Sequence, residues 1–248
     1  MAIEAGTSTY YQAKRGIVQD GLVLHLDAGV KESYSGGTTL RDLSGNGNNG
    51  TIYNSALNVK TGGGSLQCDG ANDYIGVSSP SSRFSWTPSG DGLNSISIEM
   101  WVKSSDSSGY YFSKPWNGNG WYNYLITYTS LDFRTTQVKS LNFSSLATGN
   151  WENIVCIATP TQVAVYRNGS INVAFTDHNI TANSPGGGTT NQNSPLTIMT
   201  VYPYGTGAWN IPGHAIQGNL SVVRIYNKVL SADEVSRNYN ATRHRFGL

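Results

Sequence analysis

At 248 residues, with 38% hydrophobic and only 12% charged residues, the chain has enough apolar material for one large core and too little charge for a disordered tail. A net charge of +1 gives no electrostatic footprint for nucleic acid or an anionic membrane, and no run of about 18 apolar residues is present to span a bilayer. The 29 glycines, 8 prolines and 15 tyrosines indicate many turns between β-favouring segments, and so an all-β domain.

Residues 1–20 are polar, carry Lys14 and Arg15 and show no sustained periodicity. They read as an arm, frayed or held by a partner. They also lack the apolar core of a secretory signal, so the expectation is synthesis in a cytoplasm. The first strand falls at 22–27, with Leu22, Leu24 and Leu26 on one face and His25 and Asp27 on the other. His25 is expected as a solvated or hydrogen-bonded sheet residue rather than a ligand. Residues 35–50 form a long Gly-, Asn- and Asp-rich loop pinned by Leu40 and Leu43.

A short strand at 51–53 precedes the Gly62-Gly63-Gly64 break, and strands at 65–68 and 74–77 are joined by Asp69-Gly70-Ala71-Asn72-Asp73. Asp69 and Asp73 suit Asx-type turns that cap backbone N–H groups. Their close-set oxygens also suit a hard cation, and Ca²⁺ is the one cofactor the sequence offers. Cys68 and Cys156 both lie in expected strands and read as two buried free thiols rather than a bridge.

The run ISIEMWVK at 96–103 alternates cleanly, with Ile96, Ile98, Met100 and Val102 inward and Glu99, Trp101 and Lys103 outward or toward a second layer. Strands at 110–113, 121–128 and 131–138 follow. Trp116 and Trp121, near the KPWNGNG loop, suit stacking on a sugar, a large core or an interface equally. A meander comes next at 151–158 and 162–167. Asn168-Gly169 supplies a tight hairpin turn, after which Ile171, Val173 and Phe175 resume the period of two.

Residues 183–194 are low in complexity, and one more strand is expected at 196–201. The stretch at 202–214 is the most aromatic loop. Its Tyr202, Tyr204 and Trp209 suit a binding rim, with Trp209 equally suited to plug one end of the sandwich. A last strand at 218–226 leads to Ser231-Ala232-Asp233-Glu234, a capping box that opens a short helix at 232–240. The small basic tail at 241–248 is of the kind that docks on its own domain or on a neighbour.

The segments GLVLHLDAG, DLSGNGNNGTI, SLQCDGANDYIGV, SISIEMWVK, WENIVCIATPTQVAVYRNGS and GNLSVVRIYNKVLSADEVSRNYNA resemble, in this order, laminin-G-like, concanavalin A-like jelly-roll domains. The resemblance runs over 21–240 and implies a two-sheet antiparallel jelly-roll sandwich with one short C-terminal helix, flanked by the arm at 1–20 and the tail at 241–248. Cys68 departs from the family, which usually has an aromatic or aliphatic core residue there. The chain looks like the versions encoded by tailed phages, those of marine cyanobacteria in particular.

That implies a non-enzymatic virion structural protein, above all a capsid decoration protein assembled in many copies on the major capsid protein. It would be made in the host cytoplasm and exposed on the particle surface. The other reading is a carbohydrate-binding adhesin of a tail or head fibre, attached to fibre proteins, with Trp116, Trp121, Tyr202, Tyr204 and Trp209 stacking on host surface glycans. Neither reading involves nucleic acid or membrane insertion.

Catalysis is not expected. Jelly-roll glucanases carry two carboxylates flanking the scissile bond, set close together on one strand as Glu-x-Asp-x-x-Glu or Glu-x-Asp-x-Glu. None of the five glutamates, Glu4, Glu32, Glu99, Glu152 and Glu234, stands in such a pattern. A Gly-x-Ser-x-Gly elbow, paired metal-spaced histidines and nucleotide-binding glycine motifs are also missing.

Overall fold

The computed structural model describes residues 16–54, 56–77, 84, 93–115, 122–134, 138–178, 195–201 and 214–248. In chain order the strands are β1 (Leu22–Asp27), β2 (Thr39–Leu40), β3 (Gly50–Tyr53), β4 (Leu57–Val59), β5 (Ser65–Asp69), β6 (Tyr74–Val77), β7 (Ile96–Lys103) and β8 (Tyr110–Pro115). They continue with β9 (Tyr122–Thr127), β10 (Ser130–Arg134), β11 (Val138–Asn142), β12 (Trp151–Ala158), β13 (Gln162–Arg167), β14 (Ser170–Asp177), β15 (Leu196–Ile198) and β16 (Gln217–Tyr226). Helix α1 (Ala232–Thr242) and a 3₁₀ turn (Arg243–Phe246) close the chain. Among the described residues no helix is long and apolar enough to cross a membrane.

These strands form two eight-stranded antiparallel sheets. The first runs β14-β13-β12-β7-β16-β5-β4, and the second β11-β10-β9-β8-β15-β6-β3-β2. Strand β16 is the hinge of the first sheet. Its first half pairs with β5 (Leu220 opposite Leu66), its second half with β1 (Ile225 opposite Leu24), and its other edge with β7 (Val223 opposite Met100).

Alternation dictates the core. Leu24, Leu26, Met100, Val102, Val163 and Val165 of the first sheet meet Phe112, Tyr124 and Ile126 of the second in one buried cluster. A second cluster lies on the outer face of the first sheet, where Ile17, Val18, Val155, Ile157 and Tyr226 meet Val235 of α1. The first sheet is thus covered on both faces. For that reason Glu99 and Trp101, outward in the alternation of β7, are both fully buried.

Helix α1 begins as its sequence requires. Ser231 Oγ accepts from the Glu234 N–H, and Glu234 Oε2 accepts from the Ser231 N–H. The following turn folds back onto its own domain, placing Phe246 against Trp101 (ring centroids 4.4 Å apart) and Trp151 (4.5 Å). Cys68 and Cys156 are free and buried.

Several local expectations change. The single strand at 131–138 is a hairpin of β10 and β11, with Arg134 opposite Val138 and Leu131 opposite Leu141. Residues 135–137, Thr-Thr-Gln, carry none of the Gly, Asn or Pro signals that would announce it. Strands β2 and β4 are only two and three residues long, too short for a period to register. Ile17 and Val18, at the end of the expected arm, are buried, and the Val18 N–H donates to Asn238 Oδ1 at 2.8 Å. Finally, register shifts along β14 separate its apolar residues. Val173 packs on the main core, whereas Ile171 and Phe175 are 50% and 38% exposed.

Candidate functional site

Trp116, Trp121, Tyr202, Tyr204 and Trp209 lie outside the described residues. Their described flanks do not converge. Pro115 and Tyr122, which border the first pair, face each other at one end of the β8–β9 hairpin. The chain bordering the second group sits at the other end, where the Tyr110 N–H donates to the His214 carbonyl (3.2 Å) and the Met199 N–H to the Tyr111 carbonyl (2.8 Å). A six-residue strand separates the two attachment points by about 17 Å.

The Asp69–Asp73 turn is described in full. Asp69 Oδ1 accepts from the N–H groups of Ala71 (2.8 Å) and Asn72 (3.3 Å), and these bonds hold its carboxyl below its ordinary range. Asp73 Oδ2 accepts from the Asp69 N–H at 3.1 Å, while its Oδ1 is buried with no hydrogen-bond partner. Burial, with the Asp69 charge alongside, raises the Asp73 carboxyl. Among the described residues no group of three or more His, Cys, Asp or Glu gathers around a metal position. Two carboxylates engaged in turn bonds are a small part of the six to eight oxygens that Ca²⁺ takes.

The other carboxylates show where the chain spends its charge. Glu99 Oε1 accepts from Arg224 Nη1 (2.9 Å) and Asn153 Nδ2 (3.2 Å), and its Oε2 from Asn238 Nδ2 (2.8 Å). Arg224 Nε lies 3.3 Å from His25 Nε2, and burial pushes the His25 pKa down. Asp27, wholly buried, receives both Nη atoms of Arg245 at 2.7 and 2.8 Å. Arg245 also donates to the Gly63 carbonyl and to Ser221 Oγ. Glu152 is held by Arg167 and Asn168, and Glu234 by the helix cap and Lys228. The sequence gives little warning of this network because its partners lie up to 218 residues apart.

The described surface includes a cleft and a groove. One, of about 380 Å³, lies between the loop after β1 and the β4–β5 hairpin, with Lys31, Tyr34, Ser35, Asn58 and Lys60 in its wall. The other, a shallow groove of about 580 Å³, runs between β14 and α1 past Tyr166, Ile171 and Phe175.

Two antiparallel sheets packed face to face are the architecture of the concanavalin A-like class of sandwich. The chain belongs to the family described as Concanavalin A-like lectin/glucanases superfamily (Laminin_G_3), whose model matches residues 69–236. No curated protein sequence matches.

Among solved structures, the binding domain of Paraclostridial Mosquitocidal Protein 1 is similar with a TM-score of 0.64 and 17% identity, over 90% of this chain and 52% of that one. Domain 4 of AbnA, a GH43 extracellular arabinanase from Geobacillus stearothermophilus, in complex with arabinotriose, gives 0.60 and 18%, over 88% and 98%. A Trypanosoma rangeli sialidase gives 0.64 and 13%, over 98% and 39%. The chain therefore spans about half of the toxin domain, two fifths of the sialidase and nearly all of the arabinanase domain. At these identities the likeness is one of fold.

Proposed function

We propose that this chain is a non-catalytic recognition domain that binds carbohydrate, displayed in many copies on the surface of a virion. The observation that supports the non-catalytic part is the commitment of three of the five glutamates. Glu99, Glu152 and Glu234 are each tied to a cationic partner within the fold. A glycosidase needs two carboxyl groups free to face a sugar, about 5–9.5 Å apart.

Binding of carbohydrate is supported by the family, by the fold shared with an arabinanase domain in complex with arabinotriose, and by a surface solvated through Gly, Ser, Thr and Asn rather than charge. In this proposal Trp116, Trp121, Tyr202, Tyr204 and Trp209 stack on sugar rings, with nearby Asn and Asp side chains reading hydroxyls. The virion setting is supported by the sequence resemblance to phage versions of the domain. In that setting the chain is a capsid decoration protein anchored to other virion proteins.

Labelling the protein on intact particles tests the setting. Copies spread evenly over the head support decoration, copies confined to tail or fibres support an adhesin, and no particle association refutes the virion part.

A further inference from the structure

We infer that the cleft between residues 28–35 and 58–64 is a subsite for an acidic saccharide, one whose sugar ring carries a carboxylate or sulfate. The inference rests on the carbohydrate-binding reading and specifies the ligand class for one place in the fold.

The cleft is built in advance. Its two walls are clamped by Arg245, which holds Asp27 at the end of β1 with two bonds and the Gly63 carbonyl with two more. Ser221 Oγ donates to the Gly64 carbonyl at 2.6 Å, and the Gly29 N–H donates to Asp27 Oδ1 at 3.0 Å. The walls touch through glycine, since a Cβ on Gly29 would collide with the Gly63 carbonyl oxygen and the Arg245 guanidinium. Tyr34 is buried in the wall and donates its hydroxyl to the Gly37 carbonyl at 3.0 Å, so it is fixed as well.

Against this clamped background four exposed polar side chains are left over. Lys31 and Lys60 are exposed, and neither has a carboxylate at ion-pair distance among the described residues. Ser35 and Asn58, also in the wall and exposed, have no hydrogen-bond partner there. The Asp27 charge is cancelled by Arg245. Glu32, the remaining ionisable carboxyl of the loop, is not part of the wall.

The cleft therefore offers two unpaired ammonium groups for an anion, and a hydroxyl and an amide for sugar hydroxyls, beside the aromatic body of Tyr34. Its 380 Å³ lies in the lower part of the range of small-molecule sites, about 300–1,000 Å³. Unpaired lysines in a fixed wall favour a charged ligand, since a neutral sugar gains hydrogen bonds from them but no charge pairing.

The test is calorimetric titration of the full chain with a galacturonate trisaccharide, 3′-sialyllactose and neutral lactose, repeated with Lys31→Glu/Lys60→Glu and Lys31→Arg/Lys60→Arg. The expected result is tighter binding of one or both acidic sugars than of lactose, weakened ~10-fold or more by the glutamate pair and retained by the arginine pair. Circular dichroism of all three proteins should agree, since both lysines are exposed. Acidic-sugar binding that survives charge reversal overturns the inference, as does equal affinity for acidic and neutral sugars. Binding of neutral glycans alone overturns it while leaving the carbohydrate-binding reading standing, and no binding to any glycan overturns both.

Discussion

Arg245→Met tests the contact that ties the end of the chain to the sandwich. The native guanidinium makes two bonds to Asp27, two to the Gly63 carbonyl and one to Ser221 Oγ, and the Asp27 side chain is inaccessible to solvent. Methionine keeps the apolar stem and leaves a buried carboxylate without its counter-charge. Breaking a buried pair from one side costs about 3–5 kcal/mol. For a chain of this size that corresponds to a fall in melting temperature of roughly 6–20 °C.

The pH dependence gives the sign. Burial alone raises the Asp27 carboxyl, but the charge and bonds of Arg245 override it and hold the group well below the usual range. In the native protein the contribution of the pair is fully present above the unfolded carboxylate pKa, about 3.9, and is lost as pH falls through the depressed folded value. In Arg245→Met, only the weaker contact with His25 still opposes burial, so acidification toward pH 4 relieves the variant and narrows the gap. Asp27→Asn added to Arg245→Met should recover part of the loss. Thermal and denaturant unfolding followed by circular dichroism measures all three. A loss under about 1 kcal/mol at neutral pH, or a gap that widens in acid, refutes the reasoning.

Three further outcomes follow from single contacts. Ser231→Ala removes the acceptor of the Glu234 N–H and should cost about 1 kcal/mol in denaturant unfolding. Gly169→Ala places a side chain at φ +78°, with its Cβ 2.7 Å from Tyr239 Cδ1, whereas Gly149 at φ +75° has open space around it. Unfolding should therefore show a larger loss for Gly169→Ala, above the roughly 1 kcal/mol of backbone strain expected for Gly149→Ala. Burial pushes the thiols of Cys68 and Cys156 up, so neither should react with a thiol reagent at pH 8 until the protein is denatured, when two thiols should titrate.

What was legible in the sequence was whatever depends on neighbours along the chain. The alternation of ISIEMWVK, the Asn168-Gly169 turn with φ +50° and +78°, and the Ser231–Glu234 cap all stand where local rules place them. The register of β14 was not legible, because a bulge shifts side chains between faces without changing composition. The second layer over the first sheet was legible only as one of two readings of the polar face of β7. Trp101 and Glu99 occupy positions that alternation marks as outward, and only the return of α1 and Phe246 across the sheet buries them. The same limit applies to the acidic-sugar cleft. Lys31 and Lys60 are ordinary surface lysines until the Arg245 clamp brings their two loops together.

The most direct measurement of the central claim is a glycan array probed with the full chain, followed by analysis of each bound glycan for released sugar. The account predicts binding to a defined subset of glycans, each recovered intact. Release of sugar from any of them, or binding to none, contradicts it.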